Sequence, residues 1–444
     1  MAIPPWTVEL LRRGLNDVAR RASEPETIEK LKTQATEILN EIPQTAARGF
    51  DAVMRATEVG RKNVQKWSQK QTAVTIPLIN ASGILSTPLG TGVPVSADAV
   101  DAAYACLHGD IRSDHDAVER LRRNLHRYLP DAPAYDIAVT NNFPAALVAF
   151  VIGSSQEDLV VHRSQSIRLR SGVSLVDTMN ALVPIVQEVG ANDGIEMSDF
   201  DDFDSFCLIL ADNQATQPPN ILDFGDRQVT QVVVLPVATL CQSDQADLPS
   251  VEQTLSQGAD LVLVAGGGVF GGPECGILIG KKERLDAITS TAIWPSFSAG
   301  NAVLAMLAST LQDSTRVIGR ALPIEELMRT SEENLRTRCE RLATRLSGSD
   351  SIKTCQVTAE SALVTPKGRW RFPSRQVRVE HQTLSAKEWA DRLREDLPTL
   401  IVGFDDHAIS VDLRWVSPAS DAKIGELLGG PTEAATPAAV VEEN

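Results

Sequence analysis

The stretch with the clearest chemical spacing is a glycine-rich loop, Gly266–Gly272, that follows an apolar run at residues 261–264. Its Gly-x-Gly-x-x-Gly order suits a backbone that closely approaches the pyrophosphate of a dinucleotide. That fingerprint also needs its third glycine to open a helix. Here Pro273 and Gly276 follow at once and lead into a second apolar run, so the context argues against a dinucleotide site.

Two other groups of side chains could do chemistry. Asp110, His115 and Asp116 lie close together in the sequence and suit acid/base or metal chemistry, with a solvated helix start as the alternative. Cys275 could be a nucleophile, although a buried thiol that acts as a small apolar side chain fits its position better. The other histidines show no metal-ligand spacing: His108, His126, His162, His381 and His407.

Charge and cysteine usage limit the partners and the compartment. The chain of 444 residues carries a formal net charge of −16, which disfavours tRNA as a main partner because phosphate binding depends on Lys and Arg. The first 72 residues depart from this pattern, with twelve basic against nine acidic side chains. Six scattered cysteines without a Cys-x-x-Cys pair indicate a reducing compartment. With no signal-peptide or membrane-spanning run, we expect a cytoplasmic protein that does not bind membranes.

The elements that must position these residues change along the chain. Helical apolar spacing predicts a helical segment at residues 1–75. Short β-branched runs between helical patterns predict a large α/β domain at 76–315 with a mostly parallel sheet. A helix near 323–347 and another at 385–396 belong to a predicted small α+β domain at 316–428, before a disordered tail at 429–444. The strands are expected around 137–139, 159–161, 183–186, 207–210, 232–235, 261–264, 276–279, 377–380, 400–402 and 409–413.

Several motifs, taken in order, resemble those of the bacterial selenocysteine synthases, the seryl-tRNA selenium transferases. The family has Ile-Asn-Ala-Thr-Gly, then Asn-Asn-Asn-Ala-Ala-Ala, then Glu-Val-Gly, then Gly-Gly-Pro before Gly-Lys-Lys-Glu, and finally Asp-Leu-Arg. The matching positions here are Ile79–Gly83, Thr140–Ala146, Glu188–Gly190, Gly271–Pro273, Gly280–Glu283 and Asp412–Arg414. This resemblance covers nearly all of the chain beyond residue 78.

The resemblance implies the fold of the type I pyridoxal-phosphate enzymes, whose chemistry starts from a lysine that holds the cofactor as a Schiff base. In the family's Ser-Gly-Asp-Lys, the aspartate and lysine correspond here to Gly267 and Gly268. The aspartate that keeps the pyridine nitrogen protonated corresponds to Leu235 or a neighbour. Several arginines of the pattern are also replaced, although Arg163 is retained. We therefore expect no retained catalytic residue.

Two alternatives leave cofactor chemistry open. In the first, the correspondence is locally shifted and Lys281 or Lys282 forms the Schiff base. In the second, pyridoxamine phosphate is held non-covalently, which still requires an acid/base side chain where Gly268 stands.

The family's Asn-rich turn binds the cofactor phosphate at the positive end of a helix dipole. Thr140, Asn141 and Asn142, followed by Pro144, preserve that pattern, with simple helix capping as the alternative role. The cofactor-binding positions that the resemblance implies are Thr140, Asn141, Asn142, Arg163, Gly267 and Gly268.

Three functional hypotheses follow. The first is a catalytically degenerate relative that binds a partner or a phosphorylated or carboxylate small ligand. The second is an enzyme with altered chemistry in the same cleft, with or without pyridoxal phosphate, which we expect not to be bound covalently. The third is an active pyridoxal-phosphate-dependent transferase or lyase. The resemblance also implies a homodimer or a higher homo-oligomer.

Overall fold

The computed structural model describes residues 75–108, 117–129, 134–181, 185–191, 194–216, 219–243, 246–313 and 321–429. All elements given below belong to the compact unit that begins at Leu78. Outside the described ranges lie nearly all of the predicted N-terminal helices and C-terminal tail, together with Asp110, His115 and Asp116. Within them, no helix combines the length and apolarity needed to cross a membrane.

The larger sheet has seven strands in the order β2-β8-β7-β6-β5-β3-β4. Strands β3 to β7 run parallel to one another, and β8 is antiparallel to both of its neighbours, β2 and β7. The strands are β2 (Tyr135–Thr140), β3 (Leu159–His162), β4 (Val186–Val189), β5 (Ser205–Ala211), β6 (Gln228–Leu235), β7 (Leu261–Ala265) and β8 (Gly276–Lys281). The mostly parallel sheet expected from the sequence is confirmed.

This sheet is apolar because it is covered on both faces. Successive side chains of a strand point to opposite faces, and in β6 Val233 and Leu235 join one buried cluster while Val232 and Val234 join the other. Several of the surrounding helices begin at a side-chain cap, including Asn142 and Ser250. The helices are α1 (Ala97–Leu107), α2 (Ala117–Leu125), α3 (Phe143–Gly153), α4 (Leu175–Met179), α5 (Val251–Ser256), α6 (Lys282–Thr289), α7 (Trp294–Phe297) and α8 (Asn301–Asp313).

The smaller sheet has five strands in the order β1-β11-β12-β10-β9. Its first member comes from the start of the described chain, since Leu78 pairs in parallel with Thr399. A separate buried cluster packs this sheet against its helices. The elements are β1 (Leu78–Ala81), α9 (Pro323–Arg329), α10 (Glu332–Ser347), β9 (Ile352–Leu363), β10 (Arg371–His381), α11 (Ala386–Glu395), β11 (Thr399–Phe404), β12 (Ile409–Asp412) and α12 (Asp421–Gly429).

The C-terminal part differs from the sequence prediction in two respects. The single helix expected near 323–347 is two helices, because the backbone leaves the helix at Thr330 and Ser331 caps a second one through Asn334 N. Strand β9 was not predicted. Most of its side chains are polar and exposed on both faces, so the sequence carries no two-residue alternation between apolar and polar positions.

Candidate functional site

The carboxyl ends of β2, β3, β5, β6 and β7 lie along one edge of the larger sheet. Gly276 at the start of β8 pairs with both Thr140 and Ala265, so the ends of β2 and β7 flank the start of β8. The ends of β6, β5 and β3 continue the same edge through parallel pairing. In open α/β sheets, ligands bind in the crevice beyond this edge. The Asn-rich turn, the glycine loop and the Arg163 turn therefore all lie along this one edge, after β2, β7 and β3 respectively.

The glycine loop leaves β7 and forms a short 3-10 turn at Gly268–Phe270. Gly268 has a φ of +65°, and a Cβ added there would meet no atom within 4 Å. A Cβ at Gly267 would lie 2.9 Å from the Glu274 carboxylate, and one at Gly266 would lie 2.4 Å from Cys275 Sγ. Of these three glycines, only Gly268 faces open space, at the position where the resemblance places a lysine.

The two lysines that could replace the missing one lie at the other end of the sheet. Strand β8 starts beside the glycine loop and ends at Lys281, which pairs with Tyr135 at the beginning of β2. Five residue steps along a strand span about 17 Å. Lys281 Nζ is also 2.5 Å from Asp260 Oδ1, an ion pair just before β7 begins. Neither Lys281 nor the adjacent Lys282 is positioned to act at Gly268.

Leu235, near which the resemblance places the aspartate that pairs with the pyridine nitrogen, is also apolar. Leu235 ends β6 with 1% of its surface exposed and belongs to the core cluster on one face of the sheet. It carries neither a charge nor a hydrogen-bonding side chain. The residues at this edge thus do not fit a covalently held pyridoxal phosphate, although a phosphate could still approach the helix that follows β2.

That helix, α3, begins directly after the Asn-rich turn. Asn142 Oδ1 accepts a hydrogen bond from Ala145 N at 2.9 Å, so this side chain caps the helix. Thr140 is buried and its Oγ1 donates to Asn142 O at 2.8 Å, which fixes the turn. The Asn141 side chain is exposed, and its backbone N–H donates to Phe297 O at 2.9 Å. The capping role of Asn142 is observed, whereas anion binding remains a prediction.

Arg163 lies on the 3-10 turn Arg163–Gln165 after β3, with an exposed side chain. Its Nη1 donates to Gly190 O. Gln165 Oε1 accepts a hydrogen bond from Ala211 N at 3.1 Å, which ties this turn to the end of β5. The turn therefore has a defined position at the edge, beside the end of a neighbouring strand.

A buried ion pair at the same edge was missed from the sequence. Asp212 directly follows β5 with its side chain fully buried, and Arg369 Nη1 and Nη2 lie 2.7 and 2.9 Å from its two carboxylate oxygens. The Arg369 guanidinium stacks on the Trp370 ring, 4.0 Å from its centroid. The backbone N–H of Arg369 donates to Gln214 O. Arg369 lies in the connection between β9 and β10, so we call this pair the hairpin clasp. The one sequence signal was an acidic residue directly after an apolar strand.

Two of the motifs that resemble the selenocysteine synthase pattern, at Asn80 and at Asp412, stabilise the fold of this protein. Asn80 is buried and its Nδ2 donates to Ile84 O, Leu85 O and Thr91 O, which shapes the turn after β1. Asp412 accepts hydrogen bonds from Ser374 Oγ and Gln376 Nε2 inside the smaller sheet, and burial raises the pKa of this carboxyl. These contacts account for both motifs without a ligand.

Cys275 is a buried thiol, not a nucleophile. Its residue surface is 1% exposed, and burial raises the pKa of the thiol to about 12. Because the thiolate is the reactive form, this cysteine is unreactive at neutral pH.

A family model and two known proteins with similar sequences carry the same description, selenium transferase. A family model for L-seryl-tRNA selenium transferase matches residues 236–417. The L-seryl-tRNA(Sec) selenium transferase of Aquifex aeolicus is 21% identical over 374 residues, which cover 76% of this chain and 80% of that protein. The one from Carboxydothermus hydrogenoformans is 24% identical over 371 residues, with coverage of 76% and 78%.

A solved structure supports the fold independently. That of D-glucosaminate-6-phosphate ammonia-lyase superposes with a TM-score of 0.58 at 16% identity and covers 81% of this chain and 96% of the other. At this identity the likeness concerns the fold alone. The fold is that of the type I pyridoxal-phosphate enzymes, as the sequence predicted.

Proposed function

Because this chain is related to the L-seryl-tRNA(Sec) selenium transferases and has the type I pyridoxal-phosphate fold, we propose that it keeps their cleft as a binding site without the Schiff-base chemistry. The ligand would be a phosphorylated or carboxylate small molecule. The observation that carries the proposal is Gly268, which faces open space where a lysine would be needed. In this sense the protein is catalytically degenerate.

Three further features support a non-covalent ligand. Leu235 offers no charge to a pyridine nitrogen. Lys281 is held by Asp260 at the far end of β8. The first turn of α3 lies at the open sheet edge, and helix-terminal N–H groups attract anions without any lysine. When bound to an enzyme lysine, pyridoxal phosphate supplies an electron sink, and among the described residues of the glycine loop none is a lysine that could hold it in that way.

The proposal for macromolecular partners rests on net charge and on the family resemblance. The net charge of −16 disfavours tRNA, since association with nucleic acid depends on cationic contacts with phosphate. The family resemblance favours a homodimer or a higher homo-oligomer, in which active sites lie between subunits.

We expect the protein to form no stable imine at the glycine loop. After incubation with stoichiometric pyridoxal phosphate and reduction with borohydride, peptide mapping should find no adduct on residues 260–283. Gly268→Lys provides a positive control, because the added side chain meets open space there. Its left-handed backbone at φ +65° costs about 1–2 kcal/mol in stability.

A stoichiometric adduct on Lys281 or Lys282 would contradict this expectation. Either result would favour the alternative of an active pyridoxal-phosphate-dependent transferase or lyase.

We expect phosphorylated small molecules to raise the melting temperature. A ligand that binds only the folded state adds about 2.7 kcal/mol of stability at a hundredfold excess over Kd. Replacing both Asn141 and Asn142 with alanine should abolish the rise, and should also lower the unliganded stability by about 1 kcal/mol because a helix cap is lost. Differential scanning fluorimetry with a panel of sugar phosphates and carboxylates measures both effects.

Ser331→Ala is the matched control for the lost cap. Ser331 caps α10, which packs on the smaller sheet, through Asn334 N at 3.2 Å. This variant should lose a similar amount of stability and still respond to the ligand. If no compound in the panel shifts the unaltered protein, a small-molecule role is excluded for those classes and a protein partner becomes the better account.

A further inference from the structure

A chain of three hydrogen-bonding side chains lies beside the cleft and plays no part in the proposed ligand binding. His162 ends β3, and its Nδ1 lies 2.7 Å from Ser164 Oγ. On the other side of the ring, Nε2 lies 3.0 Å from Asp199 Oδ2.

The backbone fixes which ring nitrogen carries the proton. Ser164 N donates to His162 Nδ1 at 3.2 Å, so Nδ1 must present a lone pair. The proton of the neutral ring is then on Nε2, where it is donated to the Asp199 carboxylate. With Nδ1 as an acceptor, the Ser164 hydroxyl is the donor in the contact between Oγ and Nδ1. This is the direction of proton donation from a nucleophilic hydroxyl to its base, and from that base to a carboxylate.

The base and the carboxylate are held firmly. His162 is completely buried, and its ring occupies the space above Gly190, where a Cβ would come within 1.8 Å of Nε2. Asp199 Oδ2 also accepts a hydrogen bond from Glu196 N at 2.8 Å, so the carboxylate keeps its orientation. Orientation of this kind distinguishes an activated serine from a hydroxyl that only contacts a histidine.

The serine itself is accessible and lies at the ligand-binding edge. Ser164 is half-buried on the 3-10 turn after β3. That turn is tied to the end of β5 by the bond from Ala211 N to Gln165 Oε1. The serine therefore borders the part of the crevice that lies beyond the ends of β3 and β5.

We propose that Ser164 is a nucleophile for acyl transfer, with His162 as its general base and Asp199 as the residue that positions the base. The substrate class is an activated carboxylic ester. Serine, histidine and aspartate act in these roles on unrelated folds and are recognised by their geometry rather than by their order in the chain.

In the first step, Ser164 Oγ bonds to the ester carbonyl carbon and its proton moves to His162 Nδ1. The bond from that carbon to the leaving oxygen then breaks, and the leaving alcohol takes the proton from the imidazolium. In the second step, water bonds to the acyl carbon, gives a proton to His162 Nδ1, and the bond to Ser164 Oγ breaks as the serine regains that proton. Ester and water yield acid and alcohol, with no oxidant, reductant or further co-reactant.

The test uses the full-length protein and a fluorophosphonate probe, in which Ser164 Oγ would bond to phosphorus as fluoride leaves. We expect stoichiometric labelling that maps to the peptide containing Ser164, together with hydrolysis of p-nitrophenyl acetate. Ser164→Ala should abolish both, whereas Ser166→Ala, on an exposed serine two residues away, should change neither. Mapping of the unaltered protein decides the labelled residue even if Ser164→Ala does not fold.

Asp199→Asn tests whether Asp199 positions the general base for proton transfer or only contacts it. It preserves the size of the side chain and should lower the labelling rate by about 100-fold or more, because the ring loses the carboxylate that sets its proton arrangement. Three results would overturn the proposal: no label on the folded protein, a label at another residue, or an unchanged rate in Asp199→Asn with the protein folded. Binding of phosphates to α3 is measured separately, so failure of either proposal leaves the other standing.

Discussion

Arg369→Ala should lower the free energy of unfolding by about 3–5 kcal/mol. The guanidinium of the hairpin clasp makes two hydrogen bonds to Asp212, whose side chain is fully buried. Without the guanidinium, the Asp212 carboxylate still accepts a hydrogen bond from Gln214 N, but the positive charge that paired with it is gone. A buried charge left without its partner is among the costliest results of a single substitution. Urea-induced unfolding followed by circular dichroism measures the loss.

The control for this prediction is Arg378→Ala. Arg378 pairs with Asp405, but both side chains are substantially exposed, 34% and 47%, so the loss should stay below about 1 kcal/mol. A second variant, Arg369→Ala with Asp212→Ala, removes both charges and should be more stable than Arg369→Ala alone. If Arg369→Ala costs no more than the exposed control, the clasp does not stabilise the fold.

Gly190→Ala should be the other strongly destabilising substitution. Its Cβ would come within 1.8 Å of His162 Nε2, far inside contact distance, at a backbone φ of +67°. Either the buried imidazole moves and loses its hydrogen bond to Asp199, or the backbone at residue 190 shifts away from β3. Overpacking and left-handed strain each cost about 1–3 kcal/mol, so we expect a loss of about 3 kcal/mol or more.

Gly172→Ala is the matched control for backbone strain. Gly172 also has a left-handed φ, +85°, but a Cβ there would meet nothing within 4 Å. It should cost only about 1–2 kcal/mol, the strain alone. Equal losses at Gly172 and Gly190 in thermal unfolding would show that the His162 ring can move at little cost.

The sequence predicts this fold best where structure depends on local pattern. Most strands of the larger sheet contain a continuous apolar run, and the loop at Gly268 is recognisable from its glycines alone. The sequence does not predict strand β9, because its polar side chains are exposed on both faces. It is held by pairing with β10, a partner that local composition does not identify.

The same limit applies to the site. Asp212 and Arg369 are 157 residues apart in the sequence, and His162 and Asp199 are 37 apart. Asp212 has one local signal, its place directly after an apolar strand, but the partner in each pair has none, because each pair depends on which strand ends the sheet brings together. The glycine loop was visible because its conformation depends on neighbouring residues, whereas the two charged pairs needed the complete topology.

The pairing of β1 with β11 has a consequence for how the chain is made. Leu78 emerges from the ribosome roughly 320 residues before Thr399, the residue with which it pairs. The strands of the larger sheet are all encoded between them, so that sheet can assemble during synthesis while β1 still lacks its neighbour. Joining such distant segments carries an entropic cost that grows only slowly with their separation, but it delays the contact. The smaller sheet is therefore completed last, after nearly the whole chain has been translated.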